Sequence, residues 1–189
     1  MAYTTIDKSS LHFNTVTWTG NASTNAITGV GFQPDLVWGK SQTSGYSHQW
    51  YDAVRGATYS IKTANNGDAV QETLSTGLTA FGTDGFTLGN NGNLNTSGHT
   101  VTGWNWKGAN GTSSNSDGSI TSTVSANTTS GFSIVKWTAS GSNSTIGHGL
   151  GAAPRVILAK ALGATQNWRC YFKAANDERS DVNLSLIHI

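Results

Sequence analysis

The sequence contains an internal repeat, and this repeat constrains the fold more than any other feature of the chain. The segment Phe13–Thr19 has a counterpart in Phe132–Thr138, 119 residues further along. The block Pro34–Lys40 has a counterpart in Pro154–Lys160, 120 residues further along, and these two blocks contain the only prolines of the chain. A proline that recurs at the same point marks the same strand start twice. The repeat therefore predicts one complete module, a connecting segment and the first half of a second module.

The repeat and the composition between its copies predict the domain boundaries. Residues 1–107 form the complete module, residues 108–118 a flexible linker rich in Gly, Ser and Asn, and residues 119–183 an incomplete second copy. We expect residues 184–189 to be read-through of a transposon adapter from sequencing libraries, which encodes this hexapeptide in one frame. A natural apolar strand is the alternative. An incomplete copy also predicts strands that lack the partners present in the first copy.

Short segments of alternating or apolar residues, separated by turn signals, predict an all-β fold. The expected strands of the first module cover residues 11–19, 36–38, 49–53, 58–63 and 101–107. The Asp84-Gly85 pair between apolar flanks is typical of a hairpin turn, and no segment has a sustained helical period with caps. Several short strands with turns between them are typical of an antiparallel β-sandwich, which is the predicted fold class.

The composition excludes several classes of protein. Charged residues make up 11% of the chain, against about 25% in an average globular protein, but the seven tryptophans argue against a disordered chain. Basic residues are scattered and the net charge is +1, so the sequence has no basic stripe for nucleic acid. No apolar run reaches the roughly 18 residues of a membrane span, and the amino terminus lacks a signal-peptide pattern. This pattern fits a protein that folds in cytoplasm and is used outside the cell.

Four neighbouring side chains form the candidate binding site. They are Tyr46, His48, Trp50 and Tyr51. Aromatic rings on exposed loops stack on sugar rings and their polar tips form hydrogen bonds, so this cluster predicts a glycan-binding surface. Tyr46 and His48 lie in a predicted loop and are the strongest surface candidates.

The tryptophans have a second interpretation, as core residues. Trp18 matches Trp137 in the repeat and Trp50 roughly matches Trp168, and repetition of this kind is typical of packing positions. On this interpretation the tryptophans of the core are Trp18, Trp38, Trp50, Trp104, Trp106 and Trp137.

An enzymatic function is not expected. Glycosidases use two carboxyl groups about 5–10 Å apart. Asp35, Asp52 and Asp84 lie beside predicted strands or in turns, and turn or surface roles explain them, while Glu72 lies in a polar stretch. Catalytic and metal-binding motifs are absent from the sequence, and the Asn90–Asn95 segment lacks the carboxylates of a calcium loop. We therefore expect no cofactor or metal, and we expect the single cysteine, Cys170, to pack as a small apolar group.

Four blocks of the sequence resemble one known family. They are Phe32–Lys40, Asp52–Thr58, Thr83–Gly89 and Gly103–Lys107. In this order and spacing they resemble an uncharacterised domain common in marine phage proteins, and Asp117–Val135 is similar to the segment that joins tandem copies there. The resemblance covers the chain up to about residue 175. It departs at Gly39, where that block usually carries a bulky aliphatic residue.

The resemblance implies a virion-associated structural protein, often placed among tail or fibre genes, with a jelly-roll fold like that of concanavalin. It brings no catalytic residues. We therefore expect a tail-fibre or appendage module, made in the host cytoplasm and located in the virion. It would bind a host-surface glycan or act as a spacer, and its other partners would be virion proteins or copies of itself. Nucleic acid and membrane insertion are not expected.

Two alternatives stay open at the level of the sequence. One is a secreted bacterial adhesin that resembles a lectin, which requires an export signal or sorting tail in the complete gene. The other is a polysaccharide-degrading enzyme on a jelly-roll scaffold, which requires a concave face with converging carboxyl groups.

Overall fold

Short strands account for almost all regular structure in the computed structural model, which describes residues 6–63, 70–173 and 181–183. Two single-turn helices accompany them, a 3-10 turn at Ser9–Leu11 and α1 at Gly92–Asn95. The all-β prediction is therefore confirmed, while the adapter prediction for residues 184–189 lies outside the described residues. In chain order the strands are β1 (Phe13–Thr19), β2 (Asn25–Ile27), β3 (Leu36–Ser41), β4 (His48–Asp52), β5 (Tyr59–Thr63), β6 (Glu72–Thr73), β7 (Leu78–Gly82), β8 (Gly85–Leu88), β9 (Thr100–Trp106), β10 (Ser113–Asn115), β11 (Ser122–Asn127), β12 (Phe132–Trp137), β13 (Val156–Ala159), β14 (Arg169–Phe172) and β15 (Asp181–Asn183).

The largest sheet has six strands in the order β1-β9-β3-β4-β5-β6, all antiparallel. Strand β9 pairs with all seven residues of β1 on one side and with β3 on the other. Pro34 precedes β3, a position where a missing N–H costs no ladder bond. The five strands that the sequence predicts here are all present, with ends displaced by three residues at most.

A smaller antiparallel sheet has the order β2-β8-β7, and its hairpin is the predicted one. Thr83 and Asp84 form the turn between β7 and β8. Gly85 follows with a positive φ, and a Cβ there would overlap the carbonyl oxygen of Ile27, so only glycine lets β8 approach β2 this closely.

The main apolar core lies between these two sheets. Its members are Trp18, Val37, Tyr51 and Val101 from the larger sheet, Ile27, Leu78, Phe86 and Leu88 from the smaller one, and Leu94 from α1. Side chains of successive residues alternate between the faces of a strand, so each sheet gives one face to this core. The arrangement resembles a β-sandwich, in agreement with the predicted class.

Helix α1 lies within the Asn90–Asn95 segment, in which Leu94 is the single apolar residue. Its Leu94 is 2% exposed, and the Trp18 indole N–H donates to the Leu94 carbonyl oxygen at 2.9 Å. A Cβ at Gly39 would lie 2.8 Å from both methyl groups of Leu94. The small residue at position 39 therefore leaves no gap, because a leucine from another element fills the space.

Asn95, the last residue of α1, is buried rather than solvated. Its amide group donates to the carbonyl oxygens of Ser23 at 2.6 Å and Gly89 at 2.7 Å. Its side-chain oxygen accepts from Asn21 N–H and from the Asn25 side chain, each at 3.0 Å. One amide side chain thus joins α1 to the segment 21–25 and to the residue after β8, since a buried amide is stable only when its donors and acceptor are satisfied.

The segment predicted to be a flexible linker packs against the first module and contains β10. The buried Asp35 carboxylate accepts Gly108 N–H at 2.7 Å and Asn110 N–H at 3.1 Å through the same oxygen. Burial raises the pKa of Asp35, and these two backbone N–H groups oppose that rise. Composition alone missed the contact, because Asp35 lies far away in the sequence.

Two further three-stranded sheets complete the described structure, β10-β11-β12 and β13-β14-β15. In the second of these, Val156 lies opposite Phe172 and Ala159 opposite Arg169. In the large sheet, Leu36 lies opposite Asp52 and Gly39 opposite Gln49. The pairing of β13 with β14 therefore has the register of β3 with β4, moved by 120 residues. Cys170 on β14 is 5% exposed, so its predicted burial is confirmed.

Candidate functional site

The face of the six-stranded sheet that points away from the main core carries a row of tryptophans. Trp38 on β3 lies directly opposite Trp50 on β4 and Trp104 on β9. The ring of Trp38 stacks on that of Trp50 with centroids 4.6 Å apart, and it lies 5.3 Å from that of Trp104. These rings are neighbours because residues opposite each other in antiparallel strands share a face.

The row continues to the edge of the sheet through Trp106 and Phe13. Trp106 lies opposite Phe13 on β1, with ring centroids 4.9 Å apart. Phe132 from β12 stacks on Trp106 at 6.2 Å. We call Phe13, Trp38, Trp50, Trp104 and Trp106 the aromatic row. Its tryptophans are half-buried, and Phe13 is 37% exposed.

The far end of the row meets Trp168. Its ring lies 5.1 Å from that of Trp50, and its indole N–H donates to the Lys62 carbonyl oxygen at 3.4 Å. The strand register places Cys170 at the position equivalent to Trp50, and Trp168 at that of His48. The sequence repeat predicts that Trp168 is roughly the counterpart of Trp50. In the structure the two rings instead contact each other, and Trp168 is the counterpart of His48.

The structure separates Tyr51 from the other candidate residues. Tyr51 is fully buried on the core face of β4, and its hydroxyl donates to Gln49 Oε1 at 2.7 Å. Burial raises the pKa of the Tyr51 hydroxyl. Tyr51 is the next residue after Trp50, and successive side chains of a strand point to opposite faces, so the two rings lie on different sides of the sheet. A ring enclosed in the core cannot stack on a sugar, and Tyr51 therefore acts in packing.

His48 and Trp50 lie together at one end of the aromatic row, whereas Tyr46 contacts a residue outside it. Tyr46 is 38% exposed and its ring lies nearly parallel to that of His99, with centroids 6.0 Å apart. His48 is half-buried and its ring lies 5.5 Å from that of Trp38. His48 and Trp50 thus form an aromatic patch with Trp38, and Tyr46 lies exposed on the loop that precedes β4.

The hydrogen bond of His48 defines its chemical form. The Trp38 indole N–H donates to His48 Nδ1 at 2.8 Å. Because Nδ1 accepts, the ring is neutral and Nε2 carries the proton. Burial lowers the pKa of His48, and the positive charge of Lys40 lowers it further. The imidazole therefore presents Nε2 as a hydrogen-bond donor.

Lys40 fixes the loop that carries Tyr46. Its ammonium group donates to the carbonyl oxygens of Ser41 and Ser44, each at 2.9 Å. Tyr46 N–H also approaches Ser44 Oγ at 3.3 Å. These bonds hold the loop in one conformation, and a loop that is already ordered loses less entropy when it binds a ligand.

The prediction of six core tryptophans is correct for Trp18 alone. Trp18 is 8% exposed in the core, whereas Trp137 is 41% exposed. Four others form the aromatic row. The signal that was available is parity: Trp38 alternates with the buried Val37, and the same holds for Trp50 with Tyr51. Parity separates the two faces, but the sequence does not say which face is the main core.

The four acidic candidates each have a structural partner of their own. They are Asp35, Asp52, Glu72 and Asp84. Asp52 pairs with Arg55, and the Lys62 ammonium lies 2.7 Å from the Glu72 carboxylate. Asp84 accepts Gly29 N–H at 3.0 Å and Gly31 N–H at 2.6 Å, which lowers its pKa. Within the described ranges, no three His, Cys, Asp or Glu side chains converge to form a metal site. No helix in those ranges is long and apolar enough to cross a membrane.

The fold and this patch define a class of protein, an antiparallel β protein with two packed sheets and an aromatic outer face. The chain belongs to the family described as the domain of unknown function DUF7483, whose model matches residues 8–188. No curated protein and no solved structure shows significant similarity to it.

Proposed function

We propose that this protein is a phage virion module, from a tail fibre or other appendage, that binds a host-surface glycan without catalysing a reaction. The observation that carries the proposal is the stack of Trp38 and Trp50 with the neutral imidazole of His48 beside it, and the exposed ring of Tyr46 on the loop that precedes β4. Rings stack on the apolar faces of sugars, and His48 Nε2 supplies a donor for a hydroxyl group. If the module binds no glycan, we propose that it acts as a spacer.

A tandem, jelly-roll organisation is part of this proposal, and repeated local contacts support it. Lys160 donates to the carbonyl oxygens of Ala161 at 3.2 Å and Ala164 at 3.3 Å. These are the contacts that Lys40 makes with Ser41 and Ser44, moved by 120 residues. Tandem modules would present several weak sites together and gain avidity.

The absence of catalysis is also proposed from contacts. Asp35 is enclosed, and Asp52 and Glu72 form ion pairs with Arg55 and Lys62. A glycosidase needs one carboxyl group free to donate a proton and a second free to attack or activate water. Carboxylates held in separate structural contacts do not supply that pair. This favours the binding module over the polysaccharide-degrading enzyme.

A glycan array with the full chain tests the binding. We expect binding to at least one bacterial or algal polysaccharide, and Tyr46→Ala should weaken it about five- to tenfold, since an aromatic contact contributes about 1 kcal/mol. Trp137→Ala is the matched control, because Trp137 is similarly exposed but lies on β12. Equal loss in both variants, or no binding to any glycan, would leave only the spacer.

The genes beside the complete reading frame test the location. Terminase, portal or tail genes nearby are expected for a virion protein. An export signal in the complete gene with no phage genes nearby would instead favour the secreted adhesin.

A further inference from the structure

Two polar side chains share the outer face of the six-stranded sheet with the aromatic row. Lys40 lies two residues after Trp38 on β3, and His48 lies two residues before Trp50 on β4. Residues two apart in a strand point to the same face, so both polar groups border the stacked pair of Trp38 and Trp50. Lys40 and His48 are half-buried, and they lie close enough for the charge of the ammonium group to lower the pKa of the imidazole.

The ammonium group of Lys40 has no carboxylate partner in the part of the chain that the structure describes. The ion pairs found there are those of Asp52 with Arg55 and of Lys62 with Glu72. Asp52 is on the same face of β4, but it is 6% exposed and its charge is balanced by Arg55. The aromatic face therefore carries an uncompensated positive charge beside its rings.

Both polar groups have a donor left for a ligand. A lysine ammonium has three N–H donors, and Lys40 uses two of them on the carbonyl oxygens of Ser41 and Ser44. The His48 ring accepts from Trp38 at Nδ1 and keeps Nε2–H as its donor. A carboxylate or sulfate group only accepts hydrogen bonds, so this pair of donors satisfies it, whereas a sugar hydroxyl group would also donate.

We propose that the glycan bound here is an acidic polysaccharide, with a sugar ring on Trp38 and Trp50 and its carboxylate or sulfate group on the N–H donors of Lys40 and His48. This inference rests on the proposed function, because it names the class of glycan for the same aromatic patch. A hydrogen bond with a charged partner is about twice as strong as a neutral one. Stacking accepts neutral and acidic sugars alike, so the acidic group supplies the selectivity.

The equivalent loop of the second copy supplies a matched control. Lys160 holds that loop through the two carbonyl oxygens described above, and a third bond runs to the Gln166 carbonyl oxygen at 2.6 Å. Trp168 occupies the position of His48 there, so no imidazole donor accompanies the ammonium group. Lys160→Gln therefore removes the same charge and the same kind of loop bond as Lys40→Gln without changing the donor pair.

Two matched pairs of polysaccharides test the class of glycan on the full chain. They are polygalacturonate with its methyl ester, and dextran sulfate with dextran. By biolayer interferometry at low ionic strength, we expect at least one acidic member to bind about tenfold more tightly than its neutral counterpart. Its binding should weaken as salt shortens the Debye length from about 30 Å to about 8 Å. Binding to polygalacturonate alone would identify a carboxylate, and binding to dextran sulfate alone would identify a sulfate.

Substitutions test the two donors separately. Lys40→Gln should weaken binding of the acidic member about tenfold, since a hydrogen bond to a charged group is lost, and should change any binding of the neutral member less than about twofold. Lys40→Arg keeps the charge and should retain most of the affinity. His48→Phe keeps a ring without the donor and should weaken acidic binding about threefold. Lys160→Gln should leave binding unchanged.

Four outcomes would overturn the acidic class of glycan. They are no binding to either acidic polysaccharide, equal binding of the charged and neutral members, no effect of salt, and equal losses in the two glutamine variants. If Lys40→Gln does not fold, undiminished acidic binding by His48→Phe counts against the donor pair instead. Glycan binding on the array that persists under any of these outcomes leaves the proposed function standing, whereas an array without binding removes both proposals.

Discussion

The hairpin of β3 and β4 and the hairpin of β13 and β14 are the same local structure in two environments. Their registers agree, and the lysines at positions 40 and 160 hold equivalent loops. Yet Val37 is fully buried and its counterpart Ile157 is 45% exposed. The difference teaches that local residues specify the hairpin, while β9, α1 and the smaller sheet provide the burial. Pairs of substitutions 120 residues apart can therefore measure how much that burial contributes.

The largest difference is expected for the tyrosines of β4 and β14. Tyr51→Ala removes a fully buried ring and the hydroxyl that bonds Gln49, and should lower the free energy of unfolding by about 3–5 kcal/mol. Tyr171→Ala, at the equivalent and half-buried position, should cost about 1 kcal/mol or less. Urea denaturation followed by tryptophan fluorescence measures both. Equal costs would mean that the second hairpin is covered as well as the first.

An intermediate difference is expected where β3 meets α1. Gly39→Val forces a side chain into Leu94 and should cost about 1–3 kcal/mol, whereas Ala159→Val should change stability by less than about 0.5 kcal/mol. Adding Leu94→Ala to Gly39→Val should restore part of the loss, because the new methyl groups take the vacated space. A double variant that is less stable than the sum of its single changes would contradict this exchange.

The smallest difference is expected with pH, between His48 and its counterpart Trp168. The pKa of His48 in the folded state lies below its ordinary value near 6.5. As the pH falls below 6.5, His48 is therefore protonated in the unfolded chain while it is still neutral in the folded chain. Neutral His48 therefore makes its full contribution to the free energy of unfolding above about pH 6.5. That contribution decreases as the pH falls below about 6.5, and the decrease ends once the pH is below the pKa of His48 in the folded state. His48→Gln should flatten this part of the stability profile measured by thermal denaturation. An unchanged profile would show that other groups cause it.

Short-range signals in the sequence predicted the elements well. Pro34 located the start of β3, and Asp84-Gly85 located the hairpin of β7 and β8. Alternation located β1 and β9. These signals are local because a turn or a strand start depends on the conformations of a few adjacent residues.

Contacts between distant residues are what the sequence did not reveal. The buried side chain of Asn95, the clamp between Asp35 and Gly108, and the placement of Tyr51 in the core all depend on which faces and loops meet. Parity would have separated Tyr51 from Trp50, which the sequence prediction grouped in one site, but it could not say which of them faces the smaller sheet. Of the four candidate residues, the structure keeps His48 and Trp50 on one face of β4 and buries Tyr51 in the core.

The meeting of β1 and β9 has a mechanical consequence. Phe13 and Trp106 lie opposite each other, and Lys107 N–H donates to the His12 carbonyl oxygen at 2.8 Å, so the chain enters and leaves the sandwich at neighbouring points. Tension along the polypeptide loads the bonds of Gly108 and Asn110 to Asp35 and the bond of Lys107 to His12, and then peels the seven pairs of β1 and β9 one after another. Two antiparallel strands pulled from the same end separate by unzipping, one pair at a time, rather than resisting together in shear.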